Sequence, residues 1–267
     1  MVAKSQNQHI HFSVSGEGPP VVLMHGLFGA GNNLGALARS LAPVYTVYSL
    51  DLPNHGRSGW ADDTSLAALA AIVRAWIAEQ GLPQAALMGH SLGGKVAMEI
   101  ALQDPALVAA LVVADIAPVA YPPHHDAVFA ALDAVSTGHC RSRADAEQLM
   151  KSHLREEGVI QFLLMSLQRG ADGYYDWRFN LEGIKAGYSA VRAAPDRDRV
   201  FSGPVLFVKG GDSDYILPEH RERVLQLFPA AGLKTMPGCG HWLHAQQPAL
   251  FNSIVGRFLE TNYSGAQ

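Results

Sequence analysis

Short apolar runs that end in glycine or aspartate alternate along the chain with stretches of helical period. "PVVLMHG", "YTVYSLD", "AALMGHS", "ALVVADIAP", "PVLFVKGGD" and "LKTMPGCGH" are of the first kind. A run with no polar alternation is what a parallel strand needs when helices cover both faces of its sheet. "SLAALAAIVRAWIAEQG" is of the second kind: Leu66, Leu69, Val73, Trp76 and Ile77 share one helical face, and Gly81 supplies the stop. The pattern predicts an α/β fold, a mostly parallel sheet with helices on both faces.

The alternation lapses between Pro118 and Gly203. "PPHHDAVFAALDAV", "SRADAEQLMKSHL", "EEGVIQFLLMSLQRG" and "GIKAGYSAVRAA" read as about four helices in succession, and Ser142 and Asp145 stand at capping-box spacing. Strand character returns with "VLFVKGG". The domain reading is therefore a core of residues 1–117 and 203–267 with a helical cap, 118–202, inserted over the carboxyl ends of the strands, where open α/β sheets bind ligands.

Composition narrows the partners. The 267 residues are 48% hydrophobic and 16% charged, with 20 Lys+Arg against 24 Asp+Glu and a formal net charge of -4. No basic stripe tracks a phosphate backbone, so no nucleic-acid partner is expected. Cys140 and Cys239 are the two cysteines and form no CxxC pair, which points away from a disulfide framework or a zinc site and toward a reducing compartment. The opening "MVAKSQNQHIHF" lacks the apolar core of a signal peptide, and no run reaches the ~20 apolar residues of a membrane span. The expectation is a soluble cytoplasmic protein with no membrane partner; nothing in the sequence sets an oligomeric state.

Chemistry enters with "ALMGHSLGGK", residues 86 to 95. Gly89-His90-Ser91-Leu92-Gly93 fits G-x-S-x-G between a strand and a helix, the context in which that pentapeptide presents a nucleophilic serine. A serine hydroxyl needs a base. Of the twelve histidines, His241 in "MPGCGHWLHAQQP" follows the last strand and precedes the final helix; His244 is the rival three residues on. The backbone N–H of Leu92 is one candidate donor to an oxyanion, and the loop "VLMHGLFGAGNN" offers a second from Leu27, or from Phe28. Gly29-x-Gly31, with Asp51 about 20 residues on, imitates a dinucleotide-binding fingerprint, but Gly35 comes one place too late for G-x-G-x-x-G.

"HGLFG", "LDLPNHGRS", "GHSLGGK", "DIAPVAY", "EEGVIQFLL", "DWRFN" and "GCGHWLHA" together give the resemblance. Over nearly its whole length the chain resembles the α/β hydrolase superfamily and, within it, the bacterial YbfF-type esterases. The resemblance implies an eight-stranded, mostly parallel sheet, a helical cap, no cofactor, and hydrolysis of small-molecule acyl esters or thioesters.

Three aspartates compete to be the acid that orients His241: Asp115, Asp212 and Asp214. The superfamily's commonest site, after the strand "VLFV", favours Asp214 or Asp212. The narrower group reads there like "GGNSPY", without a carboxylate, and its acid follows the preceding strand, which maps onto Asp115. Asp115 also sits among Val113, Ala114, Ile116, Ala117 and Pro118, where a carboxylate needs a charged or hydrogen-bonded partner, whereas Asp212 and Asp214 lie in a Gly- and Ser-rich turn. Asp115 is favoured, with Asp214 the alternative. The resemblance gives Ser213 a place in the same network.

Phe28, His90, Trp177, Tyr188 and Trp242 are candidate substrate-binding residues, with Phe179 beside them in the cap. "HHD" at 124 to 126 reads as a solvated helix start rather than a metal site, and Asn54 and Arg57 as shapers of a turn. The expected activity is that of a serine esterase acting through an acyl-enzyme on Ser91. Rival readings are a carbon-carbon bond hydrolase using the same three residues, and a catalytically silent binding protein on this scaffold.

Overall fold

The computed structural model describes residues 9–196 and 198–263. Its main sheet is built from β1 (Phe12–Ser15), β2 (Pro20–Met24), β3 (Thr46–Leu50), β4 (Ala85–His90), β5 (Val108–Ala114), β8 (Val205–Gly210) and β9 (Ala231–Met236), in the order β1-β3-β2-β4-β5-β8-β9. Only β1 runs antiparallel to its neighbour. The main sheet has seven strands among the described residues, rather than the eight that the resemblance implied; residues 1–8, ahead of β1, lie outside them.

The apolar runs are continuous because each strand feeds two cores. Val22 and Met24, Leu87, Leu111 and Val113, and Phe207 pack beneath α2 (Leu66–Glu79) and α3 (Leu92–Gln103). Their alternates Val21 and Leu23, Met88, Val112 and Val208 pack against α1 (Gly35–Leu41), α10 (Leu243–Gln246) and α11 (Pro248–Asn262). The predicted face of α2 is buried as a set, with the Ser65 hydroxyl capping its start. The remaining helix of the sheet layers, α9 (Arg221–Leu227), joins β8 to β9.

Between β5 and β8 the chain leaves the sheet and builds α4 (Asp126–Thr137), α5 (Arg143–Lys151), α6 (Glu157–Leu164), β6 (Leu167–Arg169), β7 (Tyr175–Trp177), α7 (Leu181–Ala186) and α8 (Tyr188–Val191). Ser142 and Asp145 close the capping box at the start of α5. Two details differ from the run of about four helices read from periodicity. The "SLQRG" end of the third predicted helix is a strand: Leu167 pairs with Trp177 across an antiparallel hairpin. The fourth splits at Gly187, where a Cβ would lie 1.7 Å from the Thr64 hydroxyl, so the chain passes there only as glycine. The inserted elements have their own apolar core, and Phe28 of the β2 loop projects into it.

Among the described residues no helix is long and apolar enough to cross a membrane.

Candidate active site

Three strand ends set the site. Ser91 is the single residue between β4 and α3 and is held at φ 50, ψ −116, a conformation costly for any residue with a Cβ. The surrounding backbone over-determines it: Ser91 N–H donates to Ala114 O at 3.0 Å, and Gly93 N–H donates to His25 O at 3.0 Å. A Cβ on Gly89 would sit 2.1 Å from Gly93 O, and one on Gly93 2.2 Å from Met24 O. The glycines of the pentapeptide therefore serve less to clear space around the hydroxyl than to let β2, β4 and α3 close on one another.

Asp115 follows β5, also at positive φ (50), and is fully buried. Its Oδ2 accepts from His241 Nδ1 at 2.8 Å and from the Ser213 hydroxyl; its Oδ1 accepts from Gly210 N–H at 2.9 Å. A buried carboxylate is tolerable only with such a set of donors. Asp212 and Asp214 are exposed on the turn after β8. Of the three candidate acids, Asp115 is the one whose carboxylate is bonded to His241. The β8 turn contributes to the same corner in another way, through a backbone N–H and a serine hydroxyl.

With Nδ1–H given to Asp115, the nitrogen of His241 left to take a proton is Nε2. The loop that carries His241 is pinned by His90, whose Nε2–H donates to the His241 carbonyl at 2.8 Å. His90 thus forms part of the cavity wall but spends its donor on this loop. Burial holds its pKa well below that of a free imidazole, with the neighbouring His244 and His241 acting in the same direction. His244 lies behind it, buried, its ring 4.4 Å from that of His90, and burial lowers its pKa to about 4.

The β2 loop sorts the two candidate oxyanion donors. Phe28, at φ 64, donates its N–H to His55 Nε2 at 3.1 Å, so that donor is already engaged; Leu27 is the other candidate. Leu92 is the first residue of α3, so its N–H has no acceptor within the helix. His55 and His25 are the scaffold that the sequence reading missed. His25 Nε2 accepts from Leu52 N–H at 2.9 Å while its Nδ1–H donates to Gly26 O; His55 Nδ1–H donates to Pro53 O. Both are neutral acceptors at Nε2, and burial lowers His55 to about 3. Their signal was present in "MHG" and "PNHG", histidines in the loops that follow two adjacent parallel strands.

Ser91 and His241 open on one cavity of about 300 Å³. Its far wall is apolar and comes from the insertion, with Val128, Val159, Phe162 and Leu163. Of the residues the sequence offered as substrate-binding candidates, Phe28, His90, Tyr188 and Trp242 line it. Trp177 does not: its indole N–H donates to Leu132 O at 3.1 Å and its ring stacks on Phe179 at 5.2 Å, inside the core of the insertion. A tryptophan whose polar edge finds a carbonyl there is packing.

One further residue went unread, and two differ from their reading. Lys95, one turn beyond Ser91, is buried and donates to Val119 O, Arg192 O and Ala193 O at 3.0, 2.8 and 2.5 Å, so it holds both stems of the insertion. Burial and the nearby Arg192 guanidinium lower its pKa to about 7. His124 and His125 are not a freely solvated helix start: they meet Tyr215 OH at 2.6 Å and Tyr188 OH at 2.5 Å. Among the described residues no group of three or more His, Cys, Asp or Glu side chains could hold a metal.

Residues 21–254 match the alpha/beta hydrolase family. The chain is 36% identical to esterase YbfF of Escherichia coli strain K12, over 96% of this chain and 96% of that protein. It is 37% identical to the sn-1-specific diacylglycerol lipase ABHD11 of Mus musculus, over 90% of this chain and 81% of that one. Among solved structures it superposes on a marine microorganism esterase with a TM-score of 0.90 at 36% identity, covering 94% of this chain and 99% of that one.

Proposed function

The chain belongs to the alpha/beta hydrolase family, and on that premise we propose that it is a serine esterase in which Ser91, His241 and Asp115 form the catalytic triad beneath a cap of residues 118–202. The observation that carries this reading is the buried Asp115 carboxylate on His241 Nδ1, facing the cavity that Ser91 lines.

The steps follow from the protons. Ser91 Oγ attacks the acyl carbon while His241 Nε2 takes its proton, and Asp115 stabilises the imidazolium that forms. The Leu27 and Leu92 amides stabilise the oxyanion, each worth about 3 kcal/mol when aimed at the developing charge. Collapse expels the alcohol, or the thiol of a thioester, which receives the proton from His241. Water then attacks the acyl-enzyme with His241 as base, releasing the acid and free Ser91. The apolar cap wall suits an acyl chain, and relatives named as an esterase and a diacylglycerol lipase support carboxylic esters as the substrate class.

A panel of aryl esters and coenzyme A thioesters of graded chain length, run beside vinylogous diketones, tests the reading. Ester turnover that disappears in Ser91→Ala is the expected result. Cleavage of the diketones with inert esters would replace it by the carbon-carbon bond hydrolase.

A further inference from the structure

His241 is gripped at its edge by Asp115, but its face is covered by a residue to which no step above gives a role. The Tyr215 ring lies 3.9 Å from the imidazole, centroid to centroid, at 22° between planes. Neutral aromatic pairs prefer offset or edge-on arrangements with centroids roughly 4.5–7 Å apart. A close, nearly parallel ring suits an imidazole that becomes a cation, because the negative face of the phenol is then turned toward the charge.

Tyr215 is held in that place from three sides. Its N–H donates to Ser213 Oγ at 3.3 Å, and Ser213 in turn donates to Asp115. Its carbonyl accepts from Tyr121 OH, whose oxygen accepts from Ala117 N–H at 2.8 Å just beyond β5. Its hydroxyl meets His124 Nε2 at 2.6 Å. His124 Nδ1 is bonded to Pro122 O, so with the ring neutral Nε2 is the acceptor and the phenol donates, which places more electron density on the phenol ring. The ring is thereby registered to the acid loop at one end and to the first residues of the cap at the other.

We propose that Tyr215 is a positioning residue for His241: its ring fixes the imidazole plane and stabilises the imidazolium, and its hydroxyl couples that support to the cap through His124. This rests on His241 being the base.

The surroundings make a pH profile readable. The titratable groups that face His241 are Asp115 after β5, His90 at the end of β4, His125 in the cap and His244 in α10. Burial keeps all three histidines neutral at mildly acid pH, with His125 lowered to about 3. Glu156 and Arg192 line the same cavity, and His124 stands at the cap entrance. The acid limb of kcat/KM should then report His241.

The test is that profile, measured on an aryl ester for Tyr215→Leu, Tyr215→Phe, His124→Ala and His241→Ala. Leucine keeps the apolar cover and removes the π face, so kcat should fall about tenfold and the acid midpoint should move about half a unit or more to lower pH. Tyr215→Phe keeps the ring and should hold the midpoint; His124→Ala should match it, each losing at most a few-fold in kcat/KM. A wild-type midpoint in Tyr215→Leu, or a Tyr215→Phe variant that behaves like leucine, overturns the proposal. His241→Ala separates the two failures: if it keeps turnover, the base assignment is wrong, whereas if it is inactive and Tyr215→Leu is unaltered, only the role of Tyr215 falls.

Discussion

The two walls of the cavity are made differently. The core wall is a set of strand ends: Ser91 after β4, Asp115 after β5 and Phe28 after β2 are three of the five non-glycine residues at positive φ among the described residues. Each is locked by a backbone hydrogen bond to a neighbouring segment or a buried histidine. Among the described residues, those of the cap wall that line the cavity have no positive φ. The cap wall is made of apolar side chains on helices with their own core, tied down by Lys95, by Ser166 Oγ on Phe28 O at 2.7 Å and by Asn180 on Asn54. Register governs the chemistry, and packing governs what fits.

The sharpest way to break this comparison is at the core wall. Asp115→Asn should lower kcat by roughly 10³–10⁴-fold, because the amide favours the wrong histidine tautomer, while Asp214→Asn, on an exposed turn, should change it less than about twofold. Deacylation rates on folded protein decide between them. A near-normal Asp115→Asn beside a crippled Asp214→Asn would put the acid in the β8 turn.

Acid should attack the core wall through its neutral histidines. The folded-state pKa values of His25, His55 and His90 lie below the 6.5 of a free imidazole, with His55 at about 3. The unfolded chain therefore binds more protons in that window, and stability falls as pH drops below 6.5, by about 1.4 kcal/mol per group per unit. Urea melts from pH 7 to 4.5 measure the slope. His55→Gln, which keeps an acceptor for Phe28 N–H, should make it shallower.

The legibility of the molecule follows the same division. "GHSLGG" was readable because close backbone approach admits only glycine, and Asp115 was half-readable because its apolar flanks announce a buried carboxylate. The partners of that carboxylate were harder: Gly210 ends β8 and Ser213 lies in the turn after it, both nearly a hundred residues away, and only the sheet order puts them beside β5. The cap concealed more. Trp177 looked like a pocket residue and is core, and the β6–β7 hairpin was hidden by a sequence of helical period whose end is pulled into pairing by tertiary contact. Lys95 carried a signal that went unused, a cation on a helix buried on every side.

Joining the walls depends on that lysine. Lys95→Met keeps much of the volume but leaves three carbonyls of half-buried and exposed residues without their donor and loses a buried set of charge-assisted bonds, so a loss of about 2 kcal/mol is expected, with protease cutting first between 118 and 202. A Tm and cleavage pattern like those of the parent would show that the stems hold without it. The smallest effect belongs to the cap wall alone. Phe162→Ala should raise KM for long acyl chains by about tenfold and leave kcat for an acetyl ester within about twofold.

Everything above depends on one oxygen being the nucleophile. Treating the native protein with a fluorophosphonate and mapping the adduct by peptide mass spectrometry asks this directly. The expected result is one modification, on Ser91, absent from Ser91→Ala. Labelling that persists in that variant, or an adduct on any other residue, would contradict the account.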